Sequence, residues 1–192
     1  MTAHNKSKSD LSFLVTRAKS GDADAFSHLY ERYLTPIFRF IYFRVKRRED
    51  VEDLTQTVFM KAWNALPDFQ ERGSPFSSWL YAIARNAVID HWRKKEDIIF
   101  DNQADTLKHI EDKDKAANPF SVVEKEEKKR AVRQAIGTLT DDQQEIVILK
   151  FIEDLSNKEI AEVTAKTEEA VRQLQCRALK ELRQYFKSSK TI

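Results

Sequence analysis

The sequence predicts an all-α protein of two helical domains joined by one flexible connection. Apolar residues recur at helical spacing along most of the chain, and no segment alternates with the two-residue rhythm of a strand. The 192 residues include only three glycines and four prolines, too few for a turn-rich β fold. Residues 96–118 lose the periodicity and are polar and acidic, with few large apolar side chains, which is the composition of a linker.

Each element follows from local signals. Residues 1–9 are polar and are expected to form a disordered tail. A first helix is predicted over 10–20, with Leu11, Leu14, Val15 and Ala18 on one face. Gly21 ends it, and Asp22 caps a second helix that buries Ala25, Phe26, Leu29, Tyr30 and Tyr33. Thr35-Pro36 reads as a cap followed by proline at the first helical position, so a third helix is predicted over 36–48. It is apolar on several sides and ends in Lys46-Arg47-Arg48. A fourth helix spans 50–66 and stops at Pro67. Ser74-Pro75 repeats the cap-then-proline signal and opens a fifth helix to Lys95. Beyond the linker, helices are predicted over 120–136, 141–152, 156–163 and 167–187. The domains are therefore 10–95 and 119–192, and the linker offers few large apolar side chains to dock them. They are expected to be held compact only by a partner.

Charge follows the same division. Residues 1–95 carry 16 Lys/Arg against 11 Asp/Glu, residues 96–118 carry 3 against 7, and residues 119–192 carry 14 against 13. Basic modules flanking an acidic connection suit anionic partners. Cys176 is the only cysteine, which excludes an intramolecular disulfide and a cysteine-based zinc site and fits a reducing compartment. The polar N-terminus lacks a signal-peptide core, and no stretch is apolar enough to span a bilayer. A soluble, cytoplasmic protein without membrane insertion is expected.

Two segments carry functional signals. In 156–174, Ile160, Ala161, Val163, Val171 and Leu174 are apolar, Ala165 stands at a turn, and Thr167 can cap the following helix. This is helix-turn-helix spacing. The second helix turns Arg172, Gln173, Cys176, Arg177 and Lys180 outward, where Arg suits guanine, Gln adenine and Lys phosphate. A plain helical hairpin with a solvated charged face has the same spacing. In the N-terminal domain, Asp53, Gln56 and Thr57 share one edge of the fourth helix, which from spacing alone is an ordinary solvated face. In the fifth helix and its leading loop, Phe69, Phe76, Trp79, Tyr81 and Trp92 mix with Arg72, Arg85, Asn86, Arg93, Lys94 and Lys95. Aromatic, amide and basic groups together suit unstacked bases, and the 68–78 loop could form a pocket for one. The competing reading places most of these aromatics in the core.

Taken together, these residues resemble the extracytoplasmic-function (ECF) group of bacterial sigma-70 factors over about 10–186. DLTQTVF is similar to a D-x-x-Q-x-x-F signature at Asp53, Gln56 and Phe59. FSSWLYAIARNAVIDHWRK is similar to a second block at Phe76, Trp79, Leu80, Ile83, Ala84, Asn86, Asp90 and Arg93. The resemblance implies that Asp53, Gln56, Thr57 and Phe59 bind the clamp helices of core RNA polymerase. Arg72, Ser74, Phe76, Trp79, Arg85, Asn86, Asp90, Arg93 and Lys94 would recognise the −10 element as single strand. Lys166, Thr167, Arg172, Gln173, Cys176, Arg177 and Lys180 would read the −35 element. It further implies contact with the polymerase flap and regulation by an anti-sigma factor, with no cofactor, metal or catalytic residue. The acidic linker would thread the polymerase's nucleic-acid channel. Departures from the family pattern are Leu139-Thr140 where many relatives have Leu-Pro, Asp154 where Gly is common, and Cys176 where His, Arg or Phe is frequent.

Three rivals differ in class. An enzyme has little support, since the four histidines are dispersed and there is no Gly-rich phosphate loop. A helix-turn-helix regulator without sigma activity would need a receiver or ligand domain in place of 1–95. A sigma-like protein that binds polymerase without initiating differs only in function.

Overall fold

The structure, a computed structural model, describes residues 3–70, 75–101 and 123–189, and among them there is no strand. The helices are α1 (Ala3–Lys19), α2 (Ala23–Tyr42), α3 (Arg48–Ala65), α4 (Phe76–Asp101), α5 (Val123–Ile136), α6 (Asp141–Val147), α7 (Asn157–Thr164) and α8 (Glu168–Ser189). A short 3₁₀ turn, Leu66–Asp68, follows α3, and a π-helical turn, Ile148–Ile152, follows α6.

The N-terminal module is α1 to α4. Gly21 takes a φ of 89° between α1 and α2, a conformation open to glycine without a Cβ clash. Asp22 then caps α2 by accepting from the Ala25 N–H at 3.0 Å. Leu29, Tyr33, Ile37, Phe40 and Ile41 from α2 meet Val51, Val58 and Ala62 from α3 and Leu80, Ala84 and Val88 from α4 in one core.

The boundaries differ from expectation in three places. Helical backbone reaches back to Ala3, inside the segment expected as a disordered tail. No Pro or Gly interrupts 3–19, so helix seeded by the packed residues propagates backwards. Pro36 does not start a new helix but lies inside α2. An internal proline costs roughly 3 kcal/mol. The buried stripe from Leu29 through Ile41 runs straight across Pro36, and its burial outweighs that cost. Finally, α4 continues to Asp101, six residues into the expected linker. The remainder of that linker, 102–118, lies outside the described residues.

In the C-terminal module, Ile146, Ile148 and Leu149 are buried with Ile160, Val171 and Ala178. The Gln143 amide donates to Glu181 at 2.8 Å, and Gln175 donates to Asn157 at 3.0 Å, fastening α8 to α6 and α7.

The expectation that the modules need a partner to stay compact does not hold in the structure. They pack directly on each other, α4 against α7 and α2 against the π turn, and their buried residues form one cluster. Among the described residues the helices supply this contact, largely with charged side chains whose partners lie 60 to 114 residues away.

Candidate nucleic-acid and polymerase interface

The helix-turn-helix is built as its spacing requires. Ser156 caps α7, accepting from the Glu159 N–H at 3.2 Å while the Glu159 carboxylate takes the Ser156 N–H at 2.8 Å. Ala165 ends α7 in the left-handed region at φ 54°, ψ 37°. Thr164, at a position that ordinarily packs into the core, is buried here and donates its hydroxyl to the Ile160 carbonyl at 2.7 Å. The Thr167 hydroxyl accepts from the Ala170 N–H at 3.1 Å and caps α8. On α8, Val171 and Ala178 are fully buried, while Arg172, Gln173, Cys176, Arg177 and Lys180 are all exposed along one outer face. Lys166 is half-buried and bonded to Asp142 at 3.0 Å.

On α3, Asp53 and Gln56 are exposed and Thr57 is half-exposed, with its hydroxyl donating to the Asp53 carbonyl at 2.8 Å. Phe59 does not join this face. It is buried, with the Tyr30 ring edge-on at 4.6 Å. The side chain that completes the row is Met60, one helical turn beyond Gln56 and 67% exposed. Its seven-residue spacing from Asp53 is the sequence signal that places it on this face.

The fifth predicted helix divides its residues between roles. Phe76 is core, packed on Tyr33 and Phe69. Trp79 is half-buried, 4.8 Å from the Phe69 ring. Asn86, Arg93 and Lys94 are exposed, whereas Asp90 is half-buried with Lys61 at 3.7 Å and Arg93 at 4.0 Å. Arg72 and Ser74 lie outside the described residues. A cavity of about 420 Å³ opens beside Trp79, lined by Asp68, Phe69, Gln70 and Ser78 and closed on one side by Glu162 of α7. The Ser78 hydroxyl is buried there without a hydrogen-bond partner.

Arg85 departs furthest from expectation. Its Nε lies 3.0 and 3.1 Å from the two oxygens of Glu145, a carboxylate of the C-terminal module. The same carboxylate accepts from Arg44 at 2.9 Å, and Arg44 and Glu145 are each only 2% exposed at the side chain. The Arg44 guanidinium also lies over the Trp92 and Phe40 rings, at 4.7 and 5.4 Å. Burial holds its pKa below the ordinary arginine value, against the opposing pull of Glu145. A second carboxylate, Glu153, accepts two bonds from Arg39 at 2.7 and 2.8 Å and one from the Tyr81 hydroxyl at 2.9 Å. Burial, then the Glu153 charge, pushes the Tyr81 pKa well above the usual phenol range. Arg133 crosses the same joint, donating to the Val45 and Lys46 carbonyls at 2.8 and 3.0 Å and stacking on Tyr42. Among the described residues, no helix is long and apolar enough to cross a membrane.

An all-α chain with a capped helix-turn-helix and a second, aromatic-rich helical module defines a class of DNA-binding transcription protein. The family models of sigma-70 region 2 and sigma-70 region 4 match residues 29–98 and 129–182. SigX, an ECF RNA polymerase sigma factor of Bacillus subtilis, is 30% identical over 85% of this chain and 84% of its own length. The ECF sigma factor BldN of Streptomyces coelicolor is 36% identical over 88% of this chain, which spans 63% of BldN. The solved structure of CnrH in complex with the cytosolic domain of CnrY has a TM-score of 0.70 and 26% identity, covering 92% of this chain and 96% of CnrH. The chain belongs to the sigma-70 family, in its ECF group.

Proposed function

We propose that the protein directs core RNA polymerase to specific promoters by reading −10 and −35 elements and promotes melting for transcription initiation. The exposed outer face of α8 carries this reading: five side chains able to meet bases or phosphates project together from a helix whose inner face is buried. Its N-terminal half would lie in the major groove, with Arg172 and Gln173 toward base edges and Arg177 and Lys180 toward phosphates. On α3, the row Asp53, Gln56, Thr57 and Met60 offers the polymerase clamp helices short polar groups around one apolar contact, with Phe59 supporting the row from inside. The Trp79 cavity and the exposed Asn86, Arg93 and Lys94 suit a single-stranded −10 element. Melting would then proceed by capture: unstacking costs a few kcal/mol per step, offset by the base pocket and the phosphate contacts. The complex of CnrH with the cytosolic domain of CnrY supports a further protein partner, for which an anti-sigma factor is our reading.

The test is in vitro transcription with bacterial core polymerase on a genomic library, comparing wild type with Asp53→Ala/Gln56→Ala. Specific transcripts that disappear in the double variant are expected. No transcripts, together with no co-elution with core polymerase, would leave a DNA-binding regulator instead.

A further inference from the structure

The cavity beside Trp79 has a wall that is held from outside. Phe69 follows the 3₁₀ turn with extended backbone, φ −60° and ψ 129°, and it lines the cavity together with Asp68 and Gln70 on either side. The Phe69 N–H closes the turn on the Leu66 carbonyl at 3.0 Å. Its ring is buried, 4.8 Å from Trp79 and 5.8 Å from Phe76, both of α4. A carbonyl at the end of a helical turn lacks the partner that regular helix would provide. Here the partner comes from 50 residues earlier: Lys19, the last residue of α1, donates from its Nζ to the Phe69 carbonyl.

We propose that Lys19 is a positioning residue for base reading: it fixes the peptide between Phe69 and Gln70, and with it the wall of the cavity that receives one base of the −10 element. The inference rests on the promoter-reading function above. The turn bond fixes the Phe69 N–H, and the aromatic stack fixes its side chain. Because the peptide unit itself is rigid, rotation about the Phe69 ψ is the freedom that remains, and it decides where Gln70 goes. The Lys19 bond holds that rotation.

This bond gives α1 a role beyond its core packing. Val15 and Ala18 are buried and attach α1 to the module. Lys19 lies beyond them, half-buried, just before Gly21 turns the chain into α2. Its methylene stem carries the ammonium to the 3₁₀ turn against which α1 packs. An ammonium donates and never accepts, so a backbone oxygen suits it, and its charge makes the bond roughly twice as strong as a neutral one. The cavity is sensitive to such positioning. It holds the unpartnered Ser78 hydroxyl, and Asp68 and Gln70 add a carboxylate and an amide. Hydrogen bonds weaken steeply when distance and alignment are lost. A wall that shifts therefore alters which base is preferred more than whether DNA binds.

Transcription with core polymerase tests this on promoters recovered from the genomic library, with every base placed in turn at each −10 position. Lys19→Met should lose about tenfold in discrimination at one −10 position and keep it at the others. Lys19→Arg, which still presents a charged donor, should retain it. Holoenzyme binding followed over a salt series should keep its slope in Lys19→Met. An equal loss at every position would make Lys19 a merely structural residue, and a slope lowered by about one would make it a phosphate contact; either overturns the proposal. A second readout needs no promoter. With fluorotryptophan in the full chain, Lys19→Met should move the fluorine NMR line of Trp79, assigned by Trp79→Phe, and leave those of Trp63 and Trp92 in place. An unmoved Trp79 line overturns the brace whatever transcription shows. A moved line with no transcript from wild type keeps the brace and removes the promoter-reading role. Circular dichroism accompanies each variant, and if Lys19→Met loses helix, the shorter Lys19→Gln decides in its place.

Discussion

Replacing Ala165 with glycine should stabilise the protein, which is unusual for a substitution at a helix-turn-helix corner. Ala165 sits at φ 54°, ψ 37°, and its side chain is exposed. An L-residue with a Cβ pays roughly 1–2 kcal/mol in that region. Glycine removes that cost but gives the unfolded chain more freedom, worth about 0.4–1 kcal/mol in the opposite direction. The exposed methyl offers almost no packing to lose. The turn's own bond, from the Lys166 N–H to the Ala161 carbonyl at 3.0 Å, needs no alanine side chain. The net gain is therefore about 0.5–1 kcal/mol, or a rise in Tm of ~1–4 °C for a chain of this size. Urea unfolding followed by circular dichroism measures it. Ala161→Gly, inside α7, serves as the opposite-signed control and should cost about 1 kcal/mol. A destabilised Ala165→Gly would refute the reasoning, because it would mean the methyl is held by contacts worth more than the strain.

Two further outcomes follow from the geometry. Burial pushes the His91 pKa below its ordinary 6.5, outweighing Asp50 at 3.5 Å, with Lys95 adding to the depression. The unfolded chain then takes up the proton first, so stability present above about pH 6.5 is lost as pH falls through the lower folded value. An NMR titration of the His91 ring should give a midpoint below 6.5, and a midpoint above it would mean that Asp50 dominates. On α8, Gln173→Ala should cost about 1–3 kcal/mol against the preferred duplex and little against others, while Lys180→Ala should weaken all duplexes alike and lower the salt slope by about one. Fluorescence anisotropy over a salt series separates the two, and identical profiles would count against this division of roles.

The helices were legible because their signals are local. Gly21 with Asp22, and Thr167, each supply a helix boundary or cap that the structure uses as the spacing implies. Pro36 misled because its local meaning, a helix start, competes with a buried stripe ten residues or more in length, and burial wins. Asp154 and Ala165 stand where a glycine would sit without strain; the helix-turn-helix spacing marked the turn at Ala165 and the family pattern marked position 154, and both residues take the left-handed conformation. The match to a signature located the α3 face but misplaced one side chain, since Phe59 points inward and Met60 outward. Only the helical phase of the neighbouring core residues settles which of two adjacent apolar residues faces out.

The joint between the modules was not legible, and the reason is general. A guanidinium among aromatics looks the same in sequence whether its anion is a phosphate from outside or a carboxylate from a hundred residues away. Arg85 stands among Trp79, Tyr81 and Trp92 in a pattern suited to nucleic acid, yet it is bonded to Glu145. Glu145 and Glu153 themselves flank a run, Ile146 to Ile152, that is apolar but for Lys150, beside which a charged residue would be assigned to the solvated face. Their burial is tolerable only because Arg39, Arg44, Tyr81 and Arg85 are all within bonding distance, and no local window contains both sides of that arrangement. The guanidinium that the sequence offers to a nucleic acid is, in the folded chain, one of the groups that hold the two modules together, so only the long-range partner tells the two readings of Arg85 apart.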